Sequence, residues 1–112
     1  MINIGIIGYG KMGRIRHQVL SSMKDANIVS VYDPAIIDTD TNIAKVKNPD
    51  QIIDNPKIDA VFICTPNYLN KPLTIQSLCA GKHVFCEKPP GFTEKDVGEI
   101  RTVEKESGKV LM

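Results

Sequence analysis

The chain has 112 residues, 42% hydrophobic and 24% charged, with 14 Lys and Arg set against 13 Asp and Glu. That is the size of one compact domain, residues 1–112, and a net charge of +1 gives no electrostatic reason to expect a nucleic acid or a membrane surface as partner. The apolar runs are too short to cross a bilayer and no basic leader precedes Ile2. Cys64, Cys79 and Cys86, which form no C-x-x-C pair, read as small core residues of a reduced, cytoplasmic protein.

Residues 2–7, rich in Ile with little alternation, suit a strand buried on both faces of a parallel sheet. A glycine turn follows, and from Lys11 the apolar residues Met12, Ile15, Val19 and Met23 recur at three and four, which predicts an amphipathic helix to about residue 22 or 23 with that stripe inward. Residues 27–32 read as a second strand, stopped by Asp33-Pro34 because proline restricts the residue before it and lacks a ladder donor. The next crossover is short: one helical turn or a loop leads to a brief strand at 43–46. A short helix over 49–54 and a turn at 56–59 precede a buried strand, 60–64, closed by Thr65-Pro66-Asn67. A helix over 70–80 is expected to bury Leu73, Ser77 or Leu78, and Ala80, with Gly81 as its left-handed stop. His83 to Cys86 is the fifth strand. Thr93 and Asp96 have the spacing of a helix start, and the helix from Glu94 to Ser107 should bury Val97, Ile100 and Val103 before Gly108 ends it. Lys109 to Met112 begins a sixth strand. No repeat or linker interrupts this alternation, which argues for an α/β, doubly wound parallel sheet of the Rossmann dinucleotide-binding kind.

Gly8-Tyr9-Gly10-Lys11-Met12-Gly13 lies between the first strand and the first helix. There, successive glycines permit a tight bend, close approach of a phosphate to the backbone, and close packing of helix on strand. The helix amides then face an anion. Asp33, 20 residues beyond Gly13, stands where a carboxylate accepts hydrogen bonds from the adenosine ribose hydroxyls. A carboxylate there repels the extra phosphate of NADP, and no arginine follows it, so NAD is preferred. Thr65, Pro66 and Asn67 end the fourth strand at the rim where open α/β sheets bind ligands, although a plain proline turn explains them equally well. Glu87-Lys88-Pro89 ends the fifth strand at the same rim, where a lysine can polarise a substrate oxygen; a surface charge is the bland account. His17 and His83 read as packing or surface residues. Lys11, Arg14 and Arg16 gather at the start of the first helix and could assist an anion, with a solvated face explaining Arg16 as well. No set of residues has metal-site spacing.

GYGKMG, Asp33, CTPNYLN and AGKHVFCEKPP together resemble the N-terminal domain of the Gfo/Idh/MocA oxidoreductases over nearly the whole chain, AGKHVFCEKP being the more specific segment. The resemblance implies an NAD(P)-dependent enzyme that transfers a hydride between the nicotinamide and a hydroxyl-bearing carbon of a sugar, cyclitol or related small molecule. It places the dinucleotide on Gly8, Tyr9, Gly10, Lys11, Met12, Gly13 and Asp33. Thr65, Pro66, Asn67 and Glu87 fall nearer the nicotinamide, Lys88 has a catalytic or orienting role, and Pro89 is a candidate to follow a cis peptide. Asn70 departs from the family, standing where many relatives have histidine. Relatives continue into a second domain that carries the substrate pocket, and that domain is absent here, so this segment is expected to hold cofactor without turnover. The competing reading is a non-enzymatic dinucleotide-binding sensor. Association of identical chains stays open.

Overall fold

The computed structural model describes residues 1–34, 43–65, 67–86 and 94–110, without the side chains of Met12, Asn67 and Tyr68. Five parallel strands, β1 (Ile2–Ile7), β2 (Ala26–Tyr32), β3 (Ala44–Lys45), β4 (Ala60–Ile63) and β5 (His83–Cys86), form one sheet in the order β3-β2-β1-β4-β5. Helices α1 (Lys11–Ser21), α2 (Asp50–Ile53) and α3 (Asn67–Cys79) lie between them, and α4 (Glu94–Ser107) follows β5. The order reverses at β1, so the chain winds outward first to β2 and then to β4. The rim above the carboxyl ends of β1, β2 and β4 is therefore the switch point at which such sheets bind ligands.

Two apolar layers sandwich the sheet. On one face Ile7, Val61, Ile63 and Val84 pack with Ile52 and Ile53 of α2 and Leu73 and Leu78 of α3, with Val103 of α4 against them. On the other face Ile4, Ile6 and Val31 pack with Tyr9 and with Leu20 of α1. Lys71 of α3 ties to α4 through Asp96 at 2.9 Å and Glu99 at 2.6 Å, and these two carboxylates raise the lysine's pKa. Lys82 is buried, donating from Nζ to the carbonyls of Asn55 and Ile58, both at 2.6 Å, while burial pulls its pKa down.

Apart from the sixth strand, the strands and helices expected among the described residues are present, with four corrections. First, Ile15 and Val19 of the expected stripe do not face the sheet: they are 39% and 51% exposed, and α1 instead buries Gly13, His17 and Leu20, while Met23, 52% exposed, lies beyond the end of the helix. The cause is Gly13, whose added Cβ would overlap the carbonyl oxygen of Gly8. That contact fixes the rotation of the helix about its axis, and periodicity yields to it. Second, α3 begins at Asn67, before the expected start, and carries Pro72 inside it at the cost of one intrahelical donor. Third, Ala80 and Val97 are exposed, while Thr74 and Asn70 are buried alongside Leu73, Ser77 and Leu78. Fourth, Cys79 is exposed and Cys64 partly so, leaving Cys86 as the buried cysteine.

Gly81 and Gly108 adopt the left-handed conformation expected of helix stops. The second crossover, the Thr93 cap, Glu87, Lys88 and the Pro89 peptide lie outside the described residues. Lys109 and Val110 are not in a strand, but the Val110 carbonyl accepts the Val84 N–H at 2.9 Å, so the backbone runs beside β5 there.

A candidate dinucleotide site at the strand ends

Three strand ends bring the candidate residues together. The chain leaves β1 at Gly8, whose N–H donates to the carbonyl of Tyr32 at the end of β2, at 2.7 Å. Gly8 has φ +94°, a conformation that a side chain resists, and an added Cβ would stand 2.6 Å from the carbonyl oxygen of Cys64 and 3.0 Å from the nitrogen of Thr65. The turn is thus wedged between the ends of β2 and β4. One residue on, the Tyr9 N–H donates to Oδ2 of Asp33 at 2.7 Å. The carboxylate singled out by its spacing is held against the glycine turn.

Gly10 has the opposite surroundings from Gly8 and Gly13. It is exposed, immediately precedes Lys11, the first residue of α1, and an added Cβ would meet nothing within 4 Å. No side chain caps the helix there. Its first amides are thus left for an anion, with open space before them. A pyrophosphate fits this arrangement: two glycines are consumed by packing and the third leaves room.

Tyr9 contributes through its backbone, because its side chain points into the fold. The ring is buried, its hydroxyl pairs with Nδ1 of the buried His17, and the Arg14 guanidinium lies 5.1 Å above the ring centroid. Burial pushes the His17 imidazole below its ordinary pKa and the Tyr9 phenol above its own, the nearby Arg14 charge partly opposing the latter. The pair was not read from the sequence, because a loop residue and a mid-helix residue eight positions apart share no periodic signal. Gly5 was also missed. Its added Cβ would overlap Cγ2 of Ile52, and the register of β1 against β2 slips beside it, a pairing irregularity that an isolated glycine within a strand commonly marks.

At the end of β4, the Thr65 hydroxyl donates to Oδ1 of Asn70 at 2.7 Å, and Asn70 is buried. Asn67 opens α3, and Pro66 lies outside the described residues. β5 ends at Cys86, in register with Ile63 of β4, and Glu87 and Lys88 lie outside the described residues. Among the described residues the structure brings together Gly8, Tyr9, Gly10, Gly13, Asp33 and Thr65, with exposed Lys11 at the first turn of α1. No group of His, Cys, Asp and Glu among them could hold a metal ion, and no helix is long and apolar enough to cross a membrane.

The family model for the oxidoreductase family with an NAD-binding Rossmann fold, Gfo/Idh/MocA, matches residues 2–112. The chain belongs to this family. It is 33% identical to the 2,7-anhydro-N-acetylneuraminate hydratase of Escherichia coli over 100% of this chain and 31% of that protein. It is 30% identical to the myo-inositol 2-dehydrogenase of Thermotoga maritima over 98% of this chain and 35% of that one. Biliverdin reductase from Synechocystis, solved with biliverdin and NADP+, superimposes with a TM-score of 0.85 at 26% identity, covering 98% of this chain and 36% of that one. The chain therefore spans about a third of the length of the relatives it matches. Its fold is the nicotinamide dinucleotide-binding part of an oxidoreductase family.

Proposed function

We propose that residues 1–112 hold NAD, in preference to NADP, within an oxidoreductase that transfers a hydride between the nicotinamide and a hydroxyl-bearing carbon of a sugar or cyclitol. The observation that carries this reading is the pairing of an uncapped, open helix start at Gly10 with an Asp33 carboxylate held against the same turn. The amides from Gly10 to Gly13 and the nearby Lys11 would receive the pyrophosphate, with Met12 in the same turn. Asp33 would accept the ribose hydroxyls and disfavour a phosphate in their place. Thr65, Pro66, Asn67 and Glu87 would flank the nicotinamide half. Lys88 would orient or polarise the substrate oxygen, acting as the catalytic residue of this segment.

When bound, the dinucleotide supplies the hydride donor or acceptor. The protein's part is to fix its orientation, and turnover needs a substrate and a proton acceptor held in reach. Because the related proteins are about three times longer, this segment is expected to bind cofactor while turning over little alone. The names of the T. maritima dehydrogenase and the E. coli hydratase support a polyhydroxylated small molecule as the substrate class. Calorimetric titration with NAD, NADH and NADP tests the proposal. NAD should bind more tightly than NADP, and Asp33→Ala should weaken NAD binding and narrow the difference. Equal NAD affinity in variant and parent would remove Asp33 from the site, and failure to bind any of the three would remove the proposal for this chain.

A further inference from the structure

The two ends of Tyr9 face in opposite directions. Its N–H donates to Oδ2 of Asp33 at 2.7 Å, while its ring is buried in the layer of Ile4, Ile6 and Leu20 between α1 and the sheet. There the Tyr9 hydroxyl pairs with Nδ1 of His17, and the imidazole tilts against the ring with the centroids 5.5 Å apart. The Arg14 guanidinium covers the ring at 5.1 Å. His17 is itself buried, one helical turn beyond Gly13 on the inner side of α1.

The peptide between Gly8 and Tyr9 depends on such an anchor. It follows a glycine at φ +94°, and glycine's backbone freedom lets the adjoining peptide plane rotate and carry the Tyr9 N–H away from Asp33. The bond from the Gly8 N–H to the Tyr32 carbonyl, at 2.7 Å, holds the chain only on the near side of that rotation. On the far side the constraint is the Tyr9 side chain: a ring gripped at its hydroxyl and its face fixes the direction of the Cα–Cβ bond, and with it the swing of the amide. Turn and helix are thus pinned at two points one helical turn apart, Gly13 against the Gly8 carbonyl and His17 against the Tyr9 hydroxyl.

We propose that His17 is a positioning residue of the dinucleotide site. By holding the Tyr9 ring it sets the amide that orients the Asp33 carboxylate toward the adenosine ribose, and so raises both the affinity for NAD and the discrimination against NADP. The proposal rests on the reading of Asp33 as the ribose-binding carboxylate. A carboxylate whose rotation is fixed before the cofactor arrives loses less freedom on binding than one the cofactor must order. Two apolar side chains of similar size would fill the same space; the hydroxyl–imidazole bond adds direction.

Calorimetric titrations with NAD and NADP compare the parent protein with Tyr9→Phe and with Tyr9→Phe/His17→Leu, each also in an Asp33→Ala background, at a temperature where all remain folded. Tyr9→Phe leaves a buried ring nitrogen without its partner and costs stability, whereas the double variant replaces both partners by apolar groups and is nearly neutral for folding. Both should bind NAD roughly three- to ten-fold more weakly than the parent, the factor corresponding to one hydrogen bond, and should lose less for NADP, so that the preference narrows. In the Asp33→Ala background the same substitutions should change NAD affinity by less than about two-fold, because the carboxylate they act through is gone. A double variant that binds NAD as the parent does overturns the proposal. A loss that persists in full without Asp33 overturns it as well, assigning the pair to the fold alone. Asp33→Ala binding NAD as tightly as the parent removes the ribose contact itself, and the proposal falls with it.

Discussion

One methyl group added at each of three glycines in the same turn should produce three different results. At Gly13 the Cβ overlaps the Gly8 carbonyl oxygen and stands 3.0 Å from its carbon, and both are backbone atoms that cannot swing aside as a side chain would. Forcing α1 away from β1 is an overpacking defect costing about 1–3 kcal/mol. At about 4–8 °C per kcal/mol for a domain near this size, the melting temperature should fall by roughly 4 °C or more. At Gly8 a comparable clash, 2.6 Å from the Cys64 oxygen, adds to a φ of +94° that costs an L-residue about 1–2 kcal/mol, so Gly8→Ala should be the least stable of the three. At Gly10 the methyl meets nothing within 4 Å, and the loss is confined to the poorer helix-capping of alanine, about 1 kcal/mol or less.

Binding should rank differently from stability. The Gly10 methyl enters the space before the first helix amides, so Gly10→Ala should keep most of its stability and lose at least about ten-fold in NAD affinity, equivalent to 1.4 kcal/mol. Urea denaturation followed on each variant, with calorimetric titration of NAD at a temperature where all three remain folded, separates the two effects. Gly10→Ala binding NAD as the parent does would refute the placement of the pyrophosphate. Gly13→Ala as stable as the parent would refute the packing argument.

Two further outcomes concern stability. Burial lowers the His17 pKa from its ordinary value of about 6.5, so the unfolded chain takes up the proton first. The stability contributed by neutral His17 is complete above about pH 6.5 and is lost as the pH falls from there toward the lower folded value. Urea midpoints measured from pH 7.5 to 5 should therefore drop more steeply in the parent than in His17→Gln, and parallel profiles would contradict the assignment. Lys82→Met keeps the aliphatic stem but removes the donor to the carbonyls of Asn55 and Ile58; it should destabilise by about 2–3 kcal/mol in chemical denaturation, and a cost below the error of the measurement would count against those bonds.

Local signals in the chain were sufficient for the alternating strands and helices, the glycine turn and Asp33. Each depends on interactions within a few residues or on a spacing set by one strand–helix–strand unit. Ile-rich runs form strands wherever both faces are covered, Gly81 and Gly108 end helices through their own backbone freedom, and Asp33 stands just past the end of β2 because Pro34 cannot continue the strand. The tertiary structure decided which way those elements face. Periodicity placed Ile15, Val19 and Met23 inward, but the contact between Gly13 and the Gly8 carbonyl turns α1 and leaves Ile15 and Val19 outside, with His17 on the core side to pair with Tyr9, and the helix ends before Met23. Tyr9 belonged to the motif on sequence grounds, and packing turns only its amide to Asp33, its ring being committed to His17 and Arg14. A sequence pattern records that a face is apolar. Which neighbour meets that face depends on close approaches between residues far apart in the chain, and only the packed fold specifies those.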